Sequence, residues 1–248
     1  MRAKQMQIPL CTARAPACEG KSGWGTPNIL GPHSTIGGMT SKPVTQKKPS
    51  TRNLILKPIV WLVCLRWLGV LVYQGFTGHL GANPVERITH RTGQAALILL
   101  IVGLAITPLR RLTGVQWLVQ YRRLIGLFAF FYATLHLLTY LVLDQNFSLG
   151  RMAADVLKRP FILIGTLTWL ILLALAVTST QAAIRRLGKR WASLHRWVYV
   201  AALLGCWHFF WSLKKDKVEA LQYLAVLLVL LGWRVVLWFL KRRELVGE

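Results

Sequence analysis

Two histidines lie inside apolar runs long enough to cross a bilayer. His136 sits in "TLHLLTYLVL" and His208 in "AALLGCWHFFW". An ionisable side chain at membrane depth is costly and points to a site. Neutral imidazole offers one lone pair to a metal, or it hydrogen-bonds a neighbouring helix. A third histidine, His195, precedes His208 on the same apolar block, and His90 opens another block. His79, in a Gly-rich connection, is expected to be solvated, and His33 has no assigned role.

The elements that must position these residues are long apolar helices. The chain of 248 residues is 54% hydrophobic. Its apolar residues form six blocks, at about 58–76, 93–109, 124–143, 160–178, 194–213 and 221–240. Helices are the economical way to bury so many backbone polar groups in lipid. The fold expected is all-α: an integral membrane bundle of six transmembrane helices. The net charge of +23 would suggest nucleic acid in a soluble protein, but here the cations mark topology. Lys42, Lys47, Lys48, Arg52 and Lys57 precede the first block. Arg110, Arg111, Arg122 and Arg123 fill the second connection. Arg185, Arg186, Lys189, Arg190 and Arg196 fill the fourth, and Lys241, Arg242 and Arg243 follow the last. The other connections hold Glu86, Asp144, Asp155, Asp216 and Glu219. Cations accumulate on the cytoplasmic side, so both termini are expected inside. Residues 1–53 read as a disordered basic extension, with Met39 as the expected true start, and 54–243 as the membrane domain.

With that orientation the third and fifth blocks run outward in parallel. His136 lies roughly 18 Å along its helix and His208 roughly 21 Å along its own. Two imidazoles at one depth in a bundle suit a six-coordinate haem. Two ligands are too few for zinc. His195 lies roughly 20 Å toward the inner face from His208, where a second haem could be held. The third block has Arg122 and Arg123 at that depth, not histidine. His90 is either an interfacial residue at a helix start or a contact for a haem propionate or quinone headgroup. Arg66, buried in the first block, needs an anion such as a propionate or flavin phosphate, or must snorkel. Arg234 is expected to snorkel. Cys64 and Cys206 are expected in the core. The four cysteines form no CxxC, so no covalent haem attachment is expected.

The segments "HLGANPVERITHRTGQAAL", "ITPLRRL", "RRLIGLFAFFYATLHLLTY", "LALAVTSTQA" and "LGKRWASLHRWVYVAALL" resemble, in order and spacing, the MsrQ (YedZ) family. These are the haem-binding membrane subunits of bacterial MsrPQ systems, in the ferric-reductase-like transmembrane superfamily. The likeness covers about 55–240. It implies a multi-pass protein of the bacterial inner membrane that binds haem b and FMN. It also implies that electrons pass from the quinone pool or a cytosolic flavin reductase to MsrP. MsrP is a periplasmic molybdopterin enzyme that reduces methionine sulfoxide in oxidised proteins. The family's haem histidines fall on His136, His195 and His208. The related oxidase branch carries histidine pairs on two helices, and here one member of a pair is replaced near Arg122. Arg110, Arg111, Arg122 and Arg123 are available to a flavin phosphate. The chain is then a non-catalytic electron-transfer subunit, with membrane lipid around it and no nucleic-acid partner. The alternatives are a stand-alone ferric-reductase or cytochrome b561-like reductase, and a non-redox transporter. No GxGxxG follows a strand-like segment, so oxidation of pyridine nucleotide is expected to occur elsewhere.

Overall fold

The computed structural model describes residues 51–213 and 217–246. The expected N-terminal extension with Met39 and His33, the cations Lys42, Lys47 and Lys48, and Asp216 all lie outside the described residues. Within them the chain is helical, with no strand. The main helices are α1 (Thr51–Phe76), α2 (Pro84–Thr113), α3 (Arg122–Thr139), α4 (Leu149–Lys158), α5 (Phe161–Val177), α6 (Gln181–Leu187), α7 (Lys189–Leu194), α8 (Val198–Ser212) and α9 (Val218–Val246).

Local chemistry sets the ends of α2. The Asn83 side chain accepts from the Glu86 amide, and Pro84 occupies the first turn, where its missing N–H costs nothing. At the other end Gly114 adopts φ 71°, and its N–H closes on the Arg110 carbonyl at 3.0 Å. That left-handed turn favours glycine.

Among the described residues four helical stretches are long and apolar enough to cross a membrane, or five if the bent α4–α5 pair is one span. The six apolar blocks correspond to α1, α2, α3, α5, α8 and α9. Two of these fall short of the length for a span. Pro160 separates α4 from α5, and the two meet at 110°. The fifth block opens on a 3-10 turn at His195–Trp197 that separates it from the short α7 and Gly188 before it, which leaves α8 with 15 residues.

α2 runs through the middle of the bundle. It packs most extensively on α3, and α5 packs on α8 in the same manner. Ala95, Ala129, Ala201 and Ala202 are fully buried, which lets the helix backbones approach closely. Leu97, Leu100, Leu104, Phe128, Tyr132 and Leu227 fill the space between. Cys64 and Cys206 are buried free thiols in that core. Large apolar side chains such as Leu62, Leu163 and Val229 cover the outside, as a lipid-facing surface requires.

Tyr132 fastens α3 to α1. Its hydroxyl donates to the Cys64 carbonyl at 2.7 Å and accepts from the Leu68 amide at 3.2 Å. Those two backbone groups are one helical turn apart, so the phenol sits astride the α1 ladder. Tyr132→Phe removes this tie while the two backbone groups keep their bond to each other in the α1 ladder. The expected loss is about 0.5–1.5 kcal/mol, read as a lower thermal unfolding midpoint in detergent with helicity retained. An unchanged midpoint would contradict the assignment.

Candidate functional site: a paired-histidine cavity

Two hairpins, α2–α3 and α5–α8, build the site as near copies. In the first, His136 on α3 places its Nδ1 2.8 Å from the Thr89 carbonyl of α2. In the second, His208 on α8 places its Nδ1 2.8 Å from the Phe161 carbonyl of α5. Each carbonyl lies 47 residues before its histidine. A glycine follows one turn later on the same helix, and the histidine ring rests on it. A Cβ on Gly93 would meet His136 Nδ1 at 2.9 Å, and a Cβ on Gly165 would meet His208 Cε1 at 2.7 Å. Any larger residue would drive the rings off these positions.

A carbonyl can only accept, so each Nδ1 carries the proton. The neutral ring then keeps its Nε2 lone pair for another partner. Binding the far nitrogen in this way also orients a metal-ligating imidazole. The two ring centroids are 6.0 Å apart, with the planes at 79°. An iron held by two imidazoles at about 2 Å from each nitrogen calls for a centroid separation of roughly 6 Å. Both rings line one cavity of about 620 Å³, within the range of a cofactor pocket. Its deep walls are apolar, from Ala96, Leu97, Leu100 and Leu172, and its mouth is polar, with Asn83, Glu86, His90, Asp144 and Arg159. A flat apolar macrocycle with a charged edge fits that gradient. Among the described residues no group of three or more His, Cys, Asp or Glu side chains could hold a bare metal ion.

Polar contacts brace the mouth. The helix of His136 ends in a π-turn, Tyr140–Asp144, a distortion that recurs at functional sites. Tyr140 donates to Asp155 Oδ2 at 3.0 Å, Gln145 donates to the same oxygen at 3.2 Å, and Arg159 pairs with Asp155 Oδ1 at 2.7 Å. His90 lies on the wall between this cavity and a smaller neighbouring hollow of about 490 Å³, and its ring is tilted against Phe209. In that hollow Gln94 donates to both Glu219 and the Tyr223 hydroxyl, joining α2 to α9.

The remaining sequence-derived residues stand elsewhere. His195 does not line the cavity. Its ring stacks on Trp191 at 4.1 Å, and its Nε2 lies 3.3 Å from the Thr178 hydroxyl. Arg66 is exposed, with its guanidinium 5.2 Å over the Trp67 ring, so it does not reach the cavity. Arg122 and Arg123 open α3 at the other end of the bundle and are exposed. Arg234 does not snorkel. It turns inward onto Tyr199 and the Leu104 carbonyl, because those acceptors lie within reach between helices. His79 is exposed. Sequence reasoning missed Gly93, Gly165 and the carbonyls of Thr89 and Phe161. Their signal was the constant offset that carries Thr89, Gly93 and His136 onto Phe161, Gly165 and His208. The Gln94–Glu219 bond had no local signal.

Residues 92–206 match the family model described as ferric reductase like transmembrane component. The chain is 46% identical over 196 residues to a protein-methionine-sulfoxide reductase heme-binding subunit MsrQ from Xanthomonas axonopodis pv. citri, covering 79% of this chain and 88% of the relative. It is 47% identical over 186 residues to the Ralstonia nicotianae protein of the same name, covering 74% of this chain and 85% of the relative. The corresponding Bordetella pertussis protein is 46% identical over 189 residues, covering 75% of this chain and 92% of the relative.

Substituting Gly93 or Gly165 by alanine is expected to lower haem occupancy of the purified protein while helicity stays at the wild-type level. Gly165→Ala should be the more severe, since its Cβ has less room. Absorption spectra and circular dichroism measure the two. Full occupancy in both variants would contradict the role given to these glycines.

Proposed function

The chain belongs to the MsrQ family of haem-binding subunits, and from that premise we propose that it is the membrane electron-transfer subunit of a periplasmic methionine sulfoxide reductase system. The observation that carries this reading is the facing pair His136 and His208, each with its Nδ1 hydrogen bonded and its Nε2 free. In this reading they are the residues that would hold a haem b. Bound there, haem supplies a one-electron carrier within the membrane.

The chain's own residues do the rest. The Thr89 and Phe161 carbonyls hold the imidazoles in the ligating tautomer. Leu97, Leu100 and Leu172 exclude water from the deep walls, and His90 and Arg159 are placed for the charged propionate edge at the mouth. His195 has a separate role at the inner end, in electron entry or as a ligand of an inner haem. FMN is the second cofactor, with the quinone pool or a cytosolic flavin reductase as donor. The acceptor is an MsrP-like molybdopterin enzyme.

The topology that goes with this function is six spans in the bacterial inner membrane, with both termini cytoplasmic, residues 1–53 as a basic extension and 54–243 as the haem domain. Support comes from the position of the described carboxylates. Glu86, Asp144, Asp155 and Glu219 fall at one end of the bundle, while Arg110, Arg111, Arg122 and Arg123, with Glu244 among the C-terminal cations of α9, fall at the other. Alkaline phosphatase fused after Asp144 or after Glu219 is expected to be active in cells. Inactivity at either site, with the fusion expressed, would overturn the orientation.

Electron relay has its own test. Under anaerobic conditions the reduced haem should be reoxidised rapidly only when both the cognate periplasmic partner and a methionine sulfoxide substrate are present. His136→Ala and His208→Ala should each deplete this haem. His195→Ala should leave its spectrum in place. Continuous reoxidation by sulfoxide without a partner would make the chain itself the reductase and refute the relay.

A further inference from the structure

One carboxylate stands behind the mouth of the histidine cavity without lining it. Asp155 of α4 is buried, 8% exposed, and both its oxygens are taken. Arg159 Nη2 lies 2.7 Å from Oδ1, while the Tyr140 hydroxyl and the Gln145 amide donate to Oδ2 at 3.0 and 3.2 Å. Tyr140 follows His136 by one turn, and its N–H donates to the His136 carbonyl. Gln145 closes the π-turn by donating its own N–H to the Tyr140 carbonyl at 3.0 Å. Arg159 ends α4, with its N–H closing on the Asp155 carbonyl at 2.8 Å. It stands two residues before Phe161, whose carbonyl holds His208. Tyr140 and Arg159 line the cavity, and Asp155 does not. One buried carboxylate therefore fixes two side chains of the mouth. One comes from the end of the His136 helix, and the other from the corner that opens α5.

We propose that Asp155 is a positioning residue for the cofactor: it holds the Arg159 guanidinium at the mouth to receive a carboxylate of the bound haem. The inference rests on the haem reading of the cavity. A guanidinium has five N–H donors, so the bond to Asp155 leaves others for an anion. The Arg159 side chain is 52% exposed, and a long exposed side chain loses rotamer freedom when a ligand orders it. Fixing it beforehand removes that cost from binding. Tyr140 and Gln145 in turn keep Asp155 in place. Asparagine cannot do the same: its carbonyl would serve one side, and its NH2 would face donors on the other. A half-exposed ion pair contributes little to the stability of the fold. The effect of Asp155 is therefore expected in how tightly haem is held.

The test follows haem transfer from the full-length loaded protein in detergent to excess apomyoglobin. Asp155→Asn and Arg159→Gln should each speed haem loss at least about tenfold. Before transfer, both should keep the wild-type low-spin spectrum and helicity. Because Asp155 acts through Arg159, the double variant should lose haem no more than about twofold faster than the faster single variant. Independent sites would instead multiply to about a hundredfold over wild type. A second arm reloads the proteins with haem dimethyl ester, whose carboxylates are masked. Wild type and variants should then release it at one rate, whereas a merely structural role would keep the variants faster. Should Asp155→Asn not fold, Arg159→Gln decides through the same comparison of haem with its ester. Haem loss at the wild-type rate in either single variant, multiplied effects in the double variant, or equal acceleration with the ester would overturn the proposal. A wild-type protein that binds no haem would instead refute the haem reading, and this inference with it.

Discussion

Each imidazole of the cavity is held by one hydrogen bond from its Nδ1 to a carbonyl on the neighbouring helix, 2.8 Å long in both hairpins. The rest of the site depends on that bond. It fixes the tautomer, aims the free nitrogen, and requires the partner helix to come close enough for its carbonyl to be reached. Close approach in turn requires glycine one turn further on, at Gly93 and Gly165, because the ring occupies the space of a Cβ. The buried alanines at 95, 129, 201 and 202 serve the same need along the rest of the contact.

Polar residues gather at both ends of the bundle around this pair. Carboxylates and the braced mouth of the cavity, with Tyr140, Gln145, Asp155 and Arg159, lie at one end. Arg110, Arg111, Arg122 and Arg123 lie at the other, and Arg234 draws the C-terminal half of α9 against α2 and α8 through Leu104 and Tyr199. A membrane helix pays heavily for an unpaired polar group, so both ends use their polar residues to tie helices together. Tyr132 does the same in mid-bundle, reaching from α3 to two backbone groups of α1.

Much of this was legible in the sequence. Apolar blocks gave the helices, because burial in lipid leaves little choice of backbone. His136 and His208 stood out as ionisable residues at matched depth, and the structure places them side by side. Arg66 was left open between an anion partner and snorkelling, and Arg234 was misread: a sequence places an arginine along a helix but does not say which face it occupies. Arg66 faces outward over Trp67, whereas Arg234 finds acceptors within the bundle. The fifth block does not make one long helix, because a 3-10 turn holding His195 interrupts its start. Gln94 and Glu219 meet across 125 residues, a contact that no local pattern encodes.

The central claim is that His136 and His208 share one iron. Near-infrared magnetic circular dichroism of the ferric protein tests it most directly, since the charge-transfer band reports the chemical identity of both axial ligands. The account predicts a low-spin bis-imidazole band in the wild type, lost in His136→Ala and in His208→Ala and retained in His195→Ala. A high-spin spectrum in the wild type, or a bis-imidazole band that survives in either of the first two variants, would contradict it.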